Sequence, residues 1–125
     1  MASILIVDDQ RAMRILLKGV LGLTGHELHL AEDGLEALDI LGAQSIDLLI
    51  TDINMPKMDG LELLSRLQER ANLIKLVMSA QDSPDATSRL EARLESLGVA
   101  DFFEKPLDIK GLRRRVEELL SLPQP

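Results

Sequence analysis

Five side chains whose chemistry is complementary stand where apolar runs give out. Asp8 and Asp9 follow the run 3–7, Asp52 follows 48–51, Ser79 follows 73–78, and Lys105 follows 99–103. Taken singly, an acid after a strand is ordinarily a turn residue or a helix cap. Taken together they describe a site. Three carboxylates brought close repel one another, and such a cluster is tolerated when a cation is bound. The ligands are all oxygen, with neither His nor Cys among them, so the ion is a hard one, Mg2+ or Mn2+. A lysine ammonium and a hydroxyl are donors that a metal does not need. They call for an anion with several oxygens, and a phosphoryl group fits.

For these residues to meet, the runs must be neighbouring strands of one sheet. Segments 3–7 and 48–51 read as short strands covered on both faces, 73–78 and 99–103 read as further strands, and 27–31 reads as a weaker one. Between them the period becomes helical. The expected inward stripes are Met13, Leu16, Leu17, Val20 and Leu21; Leu35, Leu38 and Leu41 behind an Asp33 cap; Leu61, Leu64 and Leu67 behind an Asp59 cap; Leu90, Leu94 and Leu97; and Leu112, Val116 and Leu119 within 108–122. Asp82-Ser83-Pro84 marks entry to the fourth helix, and Met55-Pro56 forces a turn after Asp52. The result is a (βα)5 chain. Parallel pairing with right-handed crossovers then predicts a doubly wound α/β sandwich of three layers, a five-stranded parallel sheet with helices on both faces. In such a sheet, ligands bind at the carboxyl ends of the strands, where the five residues converge.

Composition narrows the function. A chain of 125 residues is one domain, expected over residues 1–121, with 122–125 as a tail or the start of a linker. The absence of cysteine excludes thiolate chemistry and the usual structural zinc, and fits a reducing compartment. The longest hydrophobic segment, 15–23, is interrupted by Lys18 and falls short of a bilayer span, so a soluble cytoplasmic protein without membrane contact is expected. A net charge of −7 speaks against direct nucleic-acid binding, and Phe102 and Phe103, the only aromatics, supply no stacking platform. Arg113-Arg114-Arg115 is followed by Glu117-Glu118 and reads as a solvated helix face. His26 and His29 lie away from the strand ends that carry the acids.

In order along the chain, Ile4-Leu5-Ile6-Val7-Asp8-Asp9, Thr51-Asp52-Ile53-Asn54-Met55-Pro56, Met58-Asp59-Gly60, Ser79-Ala80 and Lys105-Pro106 form one set. By that set the chain resembles the receiver domain of two-component response regulators, the CheY-like domains, whose flavodoxin-like sheet has the order 2-1-3-4-5. The resemblance implies that Asp52 is the phosphoacceptor and that Asp9, Asp52 and the main-chain carbonyl of Asn54 hold Mg2+, with Asp8 acting mostly through water. It implies further that Ser79 and Lys105 bind the phosphoryl oxygens and that the Lys105-Pro106 peptide is cis. Ser79 and Phe102 would be the switch: Ser79 moves to the phosphoryl group, and Phe102 turns inward to fill the space it leaves. Asn54 and Gln81 are where hydrolysis of the acyl phosphate would be tuned. Implied partners are a sensor histidine kinase or phosphotransfer protein upstream and an effector protein or fused output domain downstream. The surface for them is made by the fourth helix, fifth strand and last helix, with dimerisation through it also open. One departure is that the stretch between Ser79 and Lys105 is about one helical turn longer than is common in the family.

Two other functions remain open on the residues. An aspartyl-phosphate hydrolase of the haloacid-dehalogenase type also uses a strand-end Asp with Mg2+, but it has a second Asp two positions later, where this chain has Asn54. A pseudo-receiver that only binds proteins would not require the full acid cluster. The chain is therefore expected to be a phosphoacceptor signalling domain, with self-phosphorylation from small donors and autodephosphorylation as its only chemistry.

Overall fold

The computed structural model describes residues 2–80 and 84–122, with residues 84–88 described by their backbone alone. In chain order the elements are β1 (Ser3–Val7), α1 (Arg11–Gly22), β2 (Glu27–Ala31), α2 (Gly34–Ala43), β3 (Leu48–Asp52), α3 (Gly60–Arg66), β4 (Ile74–Ala80), α4 (Pro84–Ser96), β5 (Asp101–Lys105) and α5 (Ile109–Ser121). All four strand pairings are parallel, in the order β2-β1-β3-β4-β5. That is the doubly wound arrangement expected of the alternating pattern.

Successive strand residues face opposite ways, which is why the central strands are apolar throughout. Leu5, Val7, Leu49 and Val77 pack with Leu41 of α2, Leu63 and Leu64 of α3, Leu94 of α4 and Leu97 just past its end. Their neighbours Ile4, Ile6, Leu48, Ile50, Leu76 and Met78 pack with Leu17 and Leu21 of α1 and Leu112, Val116 and Leu119 of α5. Asp33 and Asp59 cap α2 and α3 as expected, each accepting a hydrogen bond at 2.8 Å from the backbone N–H three residues on.

Several boundaries and faces differ from the pattern reading. The fifth strand begins two residues late and runs through Lys105, because Gly98, at φ +79°, ends α4 and residues 99–100 are spent on the connection. There the Val99 N–H returns to the Leu94 carbonyl and that of Ala100 pairs with Lys75. Strand β4 runs on to Ala80, so Ser79 lies inside it. Leu16 and Leu35, expected inside, are 45% and 49% exposed. Each sits one residue, about 100° of helix, from the position that packs, Leu17 in α1 and Gly34 in α2. Asp82, Ser83 and Gln81 fall outside the described residues, as do 123–125 of the expected tail.

One buried charge is unrelated to the acids. Lys75 in β4 is 4% exposed and donates to the Arg70 carbonyl at 3.4 Å, beyond the end of α3. Burial holds its pKa below the ordinary lysine value of 10.5. The charged form is therefore penalised in the fold, fully below the folded pKa and progressively less as pH rises to 10.5. Replacing Lys75 with Met keeps the apolar stem and removes that charge. At pH 7, urea unfolding of Lys75→Met is expected to show stability unchanged or raised by up to about 1 kcal/mol. A loss beyond about 2 kcal/mol would contradict this and show the ammonium to be needed beside the Arg70 carbonyl.

Candidate functional site

Strands β1, β3 and β5 end along the same carboxyl edge of the sheet, with β4 between β3 and β5, and the side chains at those three ends meet there. The Lys105 ammonium lies 3.1 Å from Asp8 Oδ2 and 3.2 Å from Asp52 Oδ2, joining residues 97 and 53 positions apart. Asp8 is fully buried, Asp52 is 5% exposed and the Lys105 side chain 18% exposed, so these ion pairs are poorly screened. Each acid also has a backbone partner for its other oxygen. Asp8 Oδ1 accepts from the Gln10 N–H and Asp52 Oδ1 from the Ile53 N–H, both at 2.8 Å. Asp9 is exposed at the rim, and its carboxylate comes with those of Asp8 and Asp52 into a group whose ligand atoms lie within 4.8 Å of one another.

One ammonium does not neutralise three acids. Burial pushes the Asp52 carboxyl above its ordinary pKa, and the neighbouring Asp8 charge adds to this while Lys105 opposes it. For Lys105, burial works against the charged form, but the hydrogen bond to Asp8 and the charges of both acids outweigh it and raise the pKa. The excess of negative charge at an all-oxygen cluster fits a hard divalent cation, and the exposed Asp9 leaves room for the waters Mg2+ retains.

The other expected site residues are placed less directly. Ser79 is 6% exposed at the carboxyl end of β4, one residue past the partner of Asp52, and its hydroxyl donates to the Ala80 carbonyl at 3.2 Å. Phe102 packs half-buried against the α2–α4 side of the core and lines an open groove of about 290 Å3 with Glu91, Leu94, Glu95, Val99 and Asp101. Asn54 is exposed in the turn after Asp52, and the Lys105-Pro106 peptide is cis. His26 and His29 stand elsewhere, beside Glu117 and Glu27. Two positioning contacts had been missed. The Arg14 guanidinium donates to the Asp8 carbonyl at 2.7 Å. A Cβ on Gly60 would collide with the Asp52 carbonyl oxygen, so the start of α3 must be glycine for the Asp52 backbone to lie where it does. The Asp59-Gly60 pair at a helix start was the available signal for the second. For Arg14 the sequence offered only a basic residue off the apolar stripe.

Comparison with known proteins agrees with the fold. The family model described as the response regulator receiver domain matches residues 4–117. The response regulator MprA of Mycobacterium tuberculosis (strain H37Rv) is 38% identical over 123 residues, which cover 98% of this chain and 52% of that protein. The chain thus spans about half the length of the curated relatives it matches. Among solved structures, a response regulator receiver protein from Pseudomonas putida is 32% identical with a TM-score of 0.85, over 94% of this chain and 96% of that one. The receiver domain of the Francisella response regulator 1452 is 28% identical with a TM-score of 0.83, over 95% and 96%.

The raised Asp52 pKa has a stability consequence. Ionising this carboxyl costs the fold, a penalty absent below its unfolded value, near 3.8, and complete above its folded pKa. Asp52→Asn removes the charge. Without divalent cations at pH 7, Asp52→Asn is expected to be more stable than wild type by on the order of 1 kcal/mol, with the gap closing as pH falls through that window. Urea midpoints measured at several pH values check this, and a variant less stable than wild type at neutral pH would contradict it.

Proposed function

Because the chain belongs to the response regulator receiver domain family, and is thus a signalling domain of two-component systems, we propose that it accepts a phosphoryl group on Asp52 from a histidine kinase or phosphotransfer protein. The observation that supports this best is the Lys105 ammonium between Asp8 and Asp52 with Asp9 alongside. In the transfer, an Asp52 carboxylate oxygen bonds to phosphorus as the bond to the donor breaks, and the leaving group keeps the electron pair. A carboxylate is a modest nucleophile, so catalysis consists of in-line positioning and neutralisation of charge. Asp9, Asp52 and the Asn54 carbonyl would hold Mg2+, or Mn2+, with Asp8 acting mostly through water. The cation would supply a positive charge shared between the acids and the phosphoryl oxygens. Lys105 stabilises the charge on those oxygens and is released from its bridge to Asp52 to do so.

The same residues carry the switch. Ser79 would leave the Ala80 carbonyl to donate to the attached phosphoryl group, and Phe102, lacking a hydroxyl, would respond by packing alone, shifting α4, β5 and α5. That surface is the one proposed for an effector or output domain, and for dimerisation. Residues 1–121 would be the receiver unit, with 122–125 a tail or linker. A cytoplasmic location is proposed for the chain as a signalling domain; among the described residues no helix is long and apolar enough to cross a membrane.

With radiolabelled acetyl phosphate and Mg2+, wild type is expected to be labelled and Asp52→Asn not, a loss of at least about 100-fold. Lys105→Ala should still take label but lose the NMR shifts at Ser79 and Phe102 that beryllofluoride with Mg2+ induces in wild type. Labelling of Asp52→Asn at the wild-type level would contradict the assignment. No wild-type shift with beryllofluoride would favour a pseudo-receiver.

A further inference from the structure

The turn that carries Asn54 is held by contacts outside its own strand. The Gly60 N–H donates to the Ile53 carbonyl at 2.8 Å and closes the turn on itself. A Cβ on Gly34 would lie 2.8 Å from Met58 Cγ and 2.9 Å from the Met58 carbonyl oxygen, so the start of α2 and this turn interlock. Next to that contact, Lys57 Nζ lies 3.5 Å from Asp33 Oδ2.

Lys57 stands at φ 66°, the one positive φ outside glycine among the described residues. Side chains with a Cβ avoid that region, and a lysine has no local hydrogen bond to offset it. Packing gives little in return, since the side chain is 62% exposed. Its partner is different. Asp33 is 4% exposed, and its other oxygen is already used by the Glu36 N–H at the start of α2. Despite burial, the Glu36 amide, with Lys57 adding, holds the Asp33 carboxyl below the usual range, so Asp33 stays ionised beside the ammonium.

We propose that Asp33 and Lys57 are a positioning pair, tying the turn after Asp52 to the start of α2 so that the Asn54 carbonyl is held ready for the divalent cation. This rests on the metal site proposed above. Neither residue belongs to the acid group that would hold the ion. Each acts through the turn, as partners behind a metal ligand fix that ligand's direction. Linkage makes the effect reciprocal: a cation held at the turn strengthens the pair and the first turn of α2.

Glycine separates this role from a merely structural one. Lys57→Gly removes the ammonium yet suits the positive φ, while Asp33→Asn removes the charge and keeps a good helix cap. Isothermal titration with Mg2+ alone is expected to give a Kd raised about fivefold in both variants and within about twofold of wild type in Lys57→Arg. The urea midpoint of Lys57→Gly should be no lower than wild type. Wild-type Mg2+ affinity in both Lys57→Gly and Asp33→Asn would overturn the proposal while leaving the metal reading intact. A wild-type protein that takes up no Mg2+ would overturn both.

Discussion

The interaction on which the site depends is that of one ammonium placed between two buried carboxylates. Without Lys105, Asp8 and Asp52 would face each other across strand ends largely shielded from water, a repulsion that burial makes expensive. With it, each acid is tied, but the exposed Asp9 nearby leaves the rim with more negative than positive charge. A rim neutralised in full would have no use for a cation. This one is left short of positive charge, which a divalent ion would supply, so that an anionic phosphoryl group would be accepted only with the metal in place; that is how a receiver domain would couple metal binding to transfer.

The rest of the fold keeps those groups from relaxing apart. Asp8 and Asp52 are the residues next after, or last in, strands packed on both faces by helices, so neither backbone moves without disturbing the core. Their remaining oxygens are taken by the backbone amides of Gln10 and Ile53, and Arg14 grips the carbonyl of Asp8. Gly60 lets α3 start against the Asp52 carbonyl, which fixes the chain on the far side of Asp52. Groups held this way lose little by reorganising during transfer. The strand ends thus provide rigidity, while Ser79, bonded to the carbonyl of the next residue, and Phe102, half-buried against the core, are the parts the proposed switch would move.

The sheet and the acids were legible because their signals are local. An apolar run that ends in an acid, and a leucine every three or four residues between runs, need no knowledge of distant neighbours. The start of β5 was misplaced because Val99 is β-branched and apolar, while the Gly98 turn and the Ala100 bond to Lys75 that exclude it from the strand depend on the end of α4. Leu16 and Leu35 were placed inside because hydrophobicity alone cannot tell a stripe from its flank when small residues such as Gly34 and Ala37 do the packing. The bond from Arg14 to Asp8 and the conformation of Lys57 left no trace in residue type: arginine off an apolar stripe is commonplace, and lysine is not a residue that announces a positive φ.

The site turns on the charge shortfall at Asp52, and a carbon NMR titration of the Asp52 carboxyl, with and without Mg2+, measures it directly. The expected result is a midpoint above the ordinary carboxylate value in metal-free protein that Mg2+ drives down. A midpoint at the ordinary value, or one that Mg2+ leaves in place, would contradict it.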